Sequence, residues 1–301
     1  MKCKSILLLA LVGCVAAIGR PKSPLTASPR NAAVLVVGKA TSKTEHAALA
    51  VRGGAGQIDP MLLAKWTTGI NLVNSIYTYL LPGKIRELYA NMPYSPLSDL
   101  IFQSHGTALL AGTLPAYCLL FQGTSIETAV GISTLPFIIV LIRSELAGEP
   151  EKFGWPKYAQ LAPLAFAAVT CYGCLNSKDW ANTAMKIYSV CFGFTGLQAA
   201  FAPDSFSKLW NVKFMSTLTD IQEHGFQWWG FFLLGYAVYV GCLAWGVAPM
   251  KSLGYGWVPP TVANAYFNVL SNQTRDFGMN RPMLFVWMVL GIVTTATLSF
   301  D

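Results

Sequence analysis

"PGKIRELY" at Pro82–Tyr89 returns as "PDSFSKLW" at Pro203–Trp210, and the reading of this pair decides the fold. Each stretch follows an apolar run, opens with proline and closes on leucine and an aromatic residue. Proline ends the helix before it, because it has no N–H to donate and its ring crowds the preceding turn. The short segment that follows suits an amphipathic helix lying in the headgroup region, with Tyr89 or Trp210 as its anchor.

Outward from the pair, the matches continue in the same order. "QSHG" at Gln103–Gly106 is answered by "QEHG" at Gln222–Gly225, and a long apolar run follows each. Gly123, Gly131 and Pro136 then reappear at identical spacing as Gly246, Gly254 and Pro259. This ordered recurrence predicts two tandem copies of one four-helix unit. An even number of spans per copy brings both copies in and out on the same side, so they are parallel repeats about an axis along the membrane normal.

Composition points to lipid as the solvent. Charged residues make up 12% of the 301, about half the roughly 25% of soluble domains. Mean hydropathy is +0.46. The expected fold is an all-α membrane protein of about eight transmembrane helices, near 66–81, 100–121, 126–142, 159–175, 184–202, 220–246, 256–270 and 282–299.

The N-terminus reads as an address. Residues 1–19 carry Lys2 and Lys4, a short apolar run and then small residues, the pattern of a signal peptide. Residues 20–45 are basic, hold Ser and Thr, and contain no acid before Glu45, as transit peptides do. Together they resemble the bipartite leaders of plastid proteins in algae with secondary plastids. Seven of the 21 basic residues but one of the 14 acids precede residue 46, so the remainder is nearly neutral. The high pI therefore gives no support to nucleic-acid binding. The expected organisation is a leader, a linker at 46–65, repeats at 66–175 and 184–299, and a linker at 176–183 between them. Basic residues divide nine to five in favour of the proline-loop side, which places that side toward the cytosol or stroma.

The candidate chemistry sits in the repeated tetrapeptides, which hold two of three histidines. His105 and His224 facing each other across the repeat axis would ligate haem or bind a quinone head group, since neutral imidazole serves both. Gly106 and Gly225 beside them support close helix packing instead. Gln103, Gln222 and Asp220 are candidates for a polar substrate, and Asp220 shares a helix face with His224. Pro136 and Pro259 interrupt corresponding helices, as the binding segments of transporters do. "TSIE" at Thr124–Glu127 and "TDIQ" at Thr219–Gln222 read as capping boxes. "CYGC" at Cys171–Cys174 has redox spacing, but it ends an apolar helix and reads as buried small hydrophobes. Phosphate loops, dinucleotide fingerprints, zinc signatures and nucleophile elbows are absent from the sequence.

A proline-terminated first helix, an interfacial Leu-aromatic turn and a Gly-containing second helix resemble the small DoxX-like membrane proteins, over Trp66–Leu298 as two copies. The resemblance implies a four-helix fold per copy and carries over no catalytic residue. The expected activity is that of a non-enzymatic scaffold or subunit, or of a binder of an apolar small molecule between the repeats. A small-solute carrier and a histidine-ligated haem or quinone redox protein are the alternatives. Membrane lipid and other membrane subunits are the expected partners, and nucleic acid is not.

Overall fold

Asp59 opens the first helix: its Oδ1 accepts from the Met61 N–H at 2.9 Å, and Pro60 occupies the first helical position. The structure, a computed structural model, describes residues 58–90, 94–156, 160–211, 218–271 and 273–300. The signal-peptide and transit readings at 1–45 lie outside the described residues.

Helix α1 spans Pro60–Leu80, and Pro82 starts the short α2, Pro82–Ala90, as the proline predicts. Ser95 caps α3, Pro96–Phe121, by accepting from the Ser98 N–H at 3.0 Å. Gly123, with φ +61°, turns the chain into α4, Ile126–Leu146. The cap of α4 departs from expectation. The helix starts one residue late for a Thr124–Glu127 box, and Ser125 instead accepts from the Thr128 N–H at 3.2 Å. Then come α5, Glu149–Lys152, and α6, Leu161–Leu175.

The remaining elements follow in the same order of lengths. Helix α7 spans Ala181–Phe201 and α8 is the short Pro203–Trp210. Helix α9 spans Asp220–Ala244, and Gln222 Oε1 accepts from the Thr219 N–H at 3.0 Å, as the second box predicts. Helix α10, Pro249–Ala265, runs into a π-helical turn at Tyr266–Leu270. The four-residue α11, Gln273–Asp276, precedes α12, Arg281–Phe300. Among the described residues all regular structure is helical.

Three helices are long and apolar enough to cross a membrane: α4, α9 and, over Arg281–Ser299, α12. Others turn apolar stripes outward. Ile187, Val190, Phe194, Leu197 and Phe201 recur at helical spacing on the exposed face of α7, and Trp66, Ile70, Val73 and Tyr77 do so on α1. The inward faces pack as α1 on α3, α3 on α4 and α4 on α6. Likewise α7 packs on α9, α9 on α10 and α10 on α12. Helices α3 and α9 meet at the centre, α6 lies on α7, and α12 lies on α1.

Small residues set these distances. A Cβ on Gly230 would collide with the backbone of Ala199 and Ala200 on α7, and one on Gly196 would lie 2.8 Å from the Leu234 nitrogen. Lipid tails are as apolar as leucine, so helices in a bilayer gain from close packing rather than from escaping water. The repeated glycines on the fourth helices share a role: a side chain on Gly131 would strike Leu175, and one on Gly254 would lie 2.9 Å from the Leu298 carbonyl carbon. The cysteines of "CYGC" are buried, as small packing residues.

Gly230→Ala is expected to cost about 1–3 kcal/mol, the usual range for overpacking. Gly69→Ala in α1, where a Cβ meets open space, is expected to be neutral or to stabilise by about 1 kcal/mol at most. Thermal melts of both variants in one detergent check the contrast.

Candidate functional site

The polar residues of α1 recur on one face, at Thr68, Asn71, Ser75 and Thr78, in an otherwise apolar helix. Their polar atoms largely satisfy one another and the backbone. Ser75 Oγ donates to the Asn71 carbonyl at 2.5 Å, Thr78 Oγ1 to the Asn74 carbonyl at 2.7 Å, and Asn71 Nδ2 to Thr113 Oγ1 at 2.7 Å. In a medium without water such back-bonding keeps hydroxyls from standing unpaired.

Opposite this face stands an aromatic wall on α9 and α10: Trp228, Phe232, Tyr236, Tyr239 and Trp257. Between the walls lies a cavity of about 160 Å³ whose surface is mostly carbon. Residues from α1, α2 and α3 form one side, and residues from α9 onward form the other. The aromatic wall stands close to α10 because Pro260 has no N–H for the Gly256 carbonyl. That carbonyl instead faces Gly235, where a Cβ would lie 2.6 Å from it.

The cavity is closed at one end by a polar strap. Tyr89, on α2, donates its hydroxyl to Asn74 Oδ1 at 3.3 Å and accepts from Trp287 Nε1 at 2.8 Å. Its backbone carbonyl accepts from the Asn280 N–H at 2.8 Å, which ties α2 to the start of α12. Burial pushes the Tyr89 phenol up, partly offset by the Trp287 hydrogen bond, so it stays a hydroxyl. Arg86, buried on the same short helix, pairs with Asp99 at 3.0 Å and lies over the Tyr94 ring.

Both histidines line the cavity, but not as twins. Gln222 donates to Ser95 Oγ at 3.2 Å and Ser98 Oγ at 3.1 Å, so the starts of α3 and α9 are level. His105 is the tenth residue of α3 and His224 the fifth of α9. Their backbones therefore differ in depth by about 7 Å at about 1.5 Å per residue. Counted back from Gly123 and Gly246, the place of His105 belongs to Trp228. In that register Phe102 matches Gly225, Leu109 matches Phe232, and Gly112 matches Gly235, all lining the cavity. The equal depth expected from the tetrapeptides does not arise, because the likeness of four residues is one helical turn out of step with the helices that carry them.

The hydrogen bonds fix each tautomer. His105 Nε2 lies 2.6 Å from the Gly225 carbonyl, which only accepts, so this nitrogen carries the proton. Trp228 donates its indole N–H to His224 Nε2 at 3.1 Å, so here the proton sits on Nδ1. That Nδ1–H is buried and faces the side-chain amide of Gln273. Phe102 and Phe232 pack edge-on to His105, and Phe267 packs edge-on to His224 with ring centroids 4.4 Å apart. Both Nε2 atoms are thus occupied within the protein. Among the described residues no group of three or more His, Cys, Asp or Glu side chains is placed to hold a metal ion.

The other candidates fall outside the cavity. Asp220 is exposed at the first turn of α9, and the hydrogen bond of His224 goes to Trp228 instead. Gln103 is half-buried, and its carbonyl accepts from Thr107 Oγ1 at 2.9 Å. Gln222 joins helix ends. Pro136 is buried in α4, and Pro259 lies beside the lining residue Pro260 without lining the cavity itself. Gly106 packs on the backbone of Thr78 and Tyr79, as the packing reading of the tetrapeptide expects. The strap of Tyr89, Trp287 and Asn74 had no local signal, since its members lie far apart in sequence. The polar face of α1 did have one, in its three- and four-residue spacing.

No family model, curated protein or solved structure matches this chain.

The two tetrapeptide glutamines are expected to behave differently. Gln222→Ala removes the ties to Ser95 and Ser98 and the reach back to Thr219, at roughly 1–3 kcal/mol. Gln103→Ala is expected to cost under about 0.5 kcal/mol. Parallel chemical-denaturation curves measure the difference.

Proposed function

We propose that this chain is an integral membrane protein of eight spans, built as two copies of a four-helix unit. Its two halves bind an apolar small molecule between them, and no catalysis is involved. The observation that carries the reading is the cavity, whose walls come from both halves and whose surface is mostly carbon. Pockets for apolar ligands are typically concave, carbon-lined and furnished with a few convergent polar groups.

Three further observations support it. The three apolar helices α4, α9 and α12 come from different parts of the chain, and outward apolar stripes on α1 and α7 match a lipid surround better than water. The order of element lengths repeats, and so do the pairings of first on third, third on fourth and fourth on last helix. An exchange of halves turns the contact of α6 with α7 into that of α12 with α1. Two copies of one ancestral unit account for all of this at once.

Unlike lining makes room for the ligand on one side of the α3–α9 pair. Where α1 has Asn71, counted back from Pro82, α7 has Phe192 counted back from Pro203. Where α10 has Pro260, α4 has Phe137. Phe137, Phe192 and Tyr188 fill their side, with ring centroids 5.0 Å apart for the first two and 4.2 Å for the last two. The matching space beside Asn71 and Pro260 belongs to the cavity.

The test is extraction and mass spectrometry of apolar compounds from the purified full chain. An apolar molecule near one per protein is expected in the wild type, with at least a tenfold reduction in Gly112→Phe. A Cβ there meets only Tyr236 at 3.8 Å, so the phenyl ring is directed into the cavity space. Gly69→Phe on α1, which meets open space, is expected to retain the ligand. Equal ligand content in all three proteins would refute the assignment, and release of the chain from membranes by alkaline carbonate would refute the eight spans.

A further inference from the structure

Resting on that reading, we infer that the ligand is a neutral single-chain lipid, held lengthwise. Its hydroxyl or carbonyl end lies under the Tyr89–Trp287 strap, and its hydrocarbon tail points away from α2.

Shape is the first reason. Lining positions on α9 run from Ile221 to Tyr239, about 27 Å of helix at about 1.5 Å per residue. On α3 they run from Phe102 to Ala116, and on α1 from Thr78 back to Thr68. Lining spread over such a length makes the space elongated. A compact solute would touch only part of this lining, whereas one extended chain follows it from end to end. Half of a bilayer's roughly 30 Å hydrocarbon core, about 15 Å, is the reach of one leaflet's chains, so such a chain fits within this length.

Charge is the second reason. No Asp, Glu, Lys or Arg lines the tunnel. A buried carboxylate or phosphate there would lack a counter-charge, at a cost that ordinary packing does not offset. The ion pair of Arg86 and Asp99 is already closed on itself. The polar end of the ligand is therefore uncharged.

Polarity along the tunnel is the third. Polar lining gathers toward the α2 end, where Tyr89, Trp287 and Asn74 are joined by hydrogen bonds. Thr261, on the half of α10 nearest that end, adds a buried hydroxyl. The Asn74 amide has its oxygen bonded to Tyr89, which leaves its N–H₂ group facing the same region. At the far end the walls are Ala116, Tyr239 and Leu253. Thr68, the lining position on α1 farthest from α2, adds one hydroxyl to that end.

The experiment uses the full chain in phosphatidylcholine nanodiscs and two photoreactive forms of hexadecanol. One carries a diazirine at the tail terminus and the other carries it beside the hydroxyl. The tail probe is expected to label the Ala116–Tyr239–Leu253 end, and the head probe the Tyr89–Trp287–Thr261 end. Unlabelled hexadecanol should compete at least tenfold better than hexadecanoate at pH 9. Asn74→Leu, which removes an amide that lines the α2 end, should weaken the head-probe labelling at least fivefold, and a melt of that variant separates this from unfolding. Labelling confined to lipid-facing residues such as Val73 and Phe194, the same sites for both probes, or hexadecanoate competing as well as the alcohol, would overturn the inference. A compact apolar compound copurifying while neither probe enters would leave the ligand-binding reading standing and remove only the chain. No ligand of any kind would remove both.

Discussion

The crossing of α3 and α9 is the constraint on which the rest depends. These two helices meet at the centre of the described structure and are joined by polar contacts at one end. Gln222 reaches Ser95 and Ser98, and the imidazole of His105 bonds the Gly225 carbonyl. In water such bonds contribute little beyond what solvent offers. Where burial limits competing water they count for more, and one set of bonds fixes both depth and rotation. Once that register is set, Phe102, Leu109 and Gly112 of α3 face the same space as Gly225, Phe232 and Gly235 of α9. The tunnel is a consequence of this register and of what the flanking helices then place beside it.

Glycine and proline act together in that placement. Helices that cannot gain from expelling water gain from contact, and contact is closest where a side chain is missing. Gly230 seats α9 on α7, Gly106 seats α3 on α1, and Gly254 seats α10 on α12. Pro260 contributes differently, by leaving the Gly256 carbonyl unclaimed by its own helix. The carbonyl's neighbour is Gly235, and Cα–H···O contact of this kind recurs where helices approach closely. The wall of the tunnel is thus pressed against α9 at mid-depth while its aromatic side chains stay turned inward.

Much of the element order was legible because prolines and glycines mark ends unambiguously. Pro82 and Pro203 end α1 and α7 where the sequence places them, and Ser95 caps α3 as its Ser-Pro pair suggests. The cap at Thr124 slipped by one residue because Ser125 offers the same hydroxyl a position later, and tertiary packing selects between them. The site was less legible. Three matching letters in two tetrapeptides are conspicuous in a string, yet they lie one turn apart on their helices. Counted from the glycines, His105 falls at the place of Trp228, with which it shares no chemistry. Glycine spacing was the better guide to register, because a glycine's place is held by close helix contact. Tyr89, Trp287 and Asn74 escaped notice because a cluster gathered from three distant helices has no period to detect.

The asymmetry between the halves is the last step. Under the proposed duplication the unit begins with two equivalent spaces flanking its central helices, and both cannot remain open without loss of dispersion contacts along their walls. Here Phe137 and Phe192 occupy one, where Tyr236 also bonds to Ser133 at 3.0 Å. That side is consequently a core, with rings packed edge to face in the manner that stabilises aromatic clusters. The other side keeps Asn71 and Pro260, residues too small or too polar to fill the gap. An empty narrow space lined by carbon is costly in any protein, and in a membrane it lies within reach of lipid chains at very high concentration. Occupancy by the proposed chain would restore the contacts that Phe137 and Phe192 provide opposite. The filled side carries its own packing, and on the proposed reading a ligand would supply the equivalent contacts on the open side.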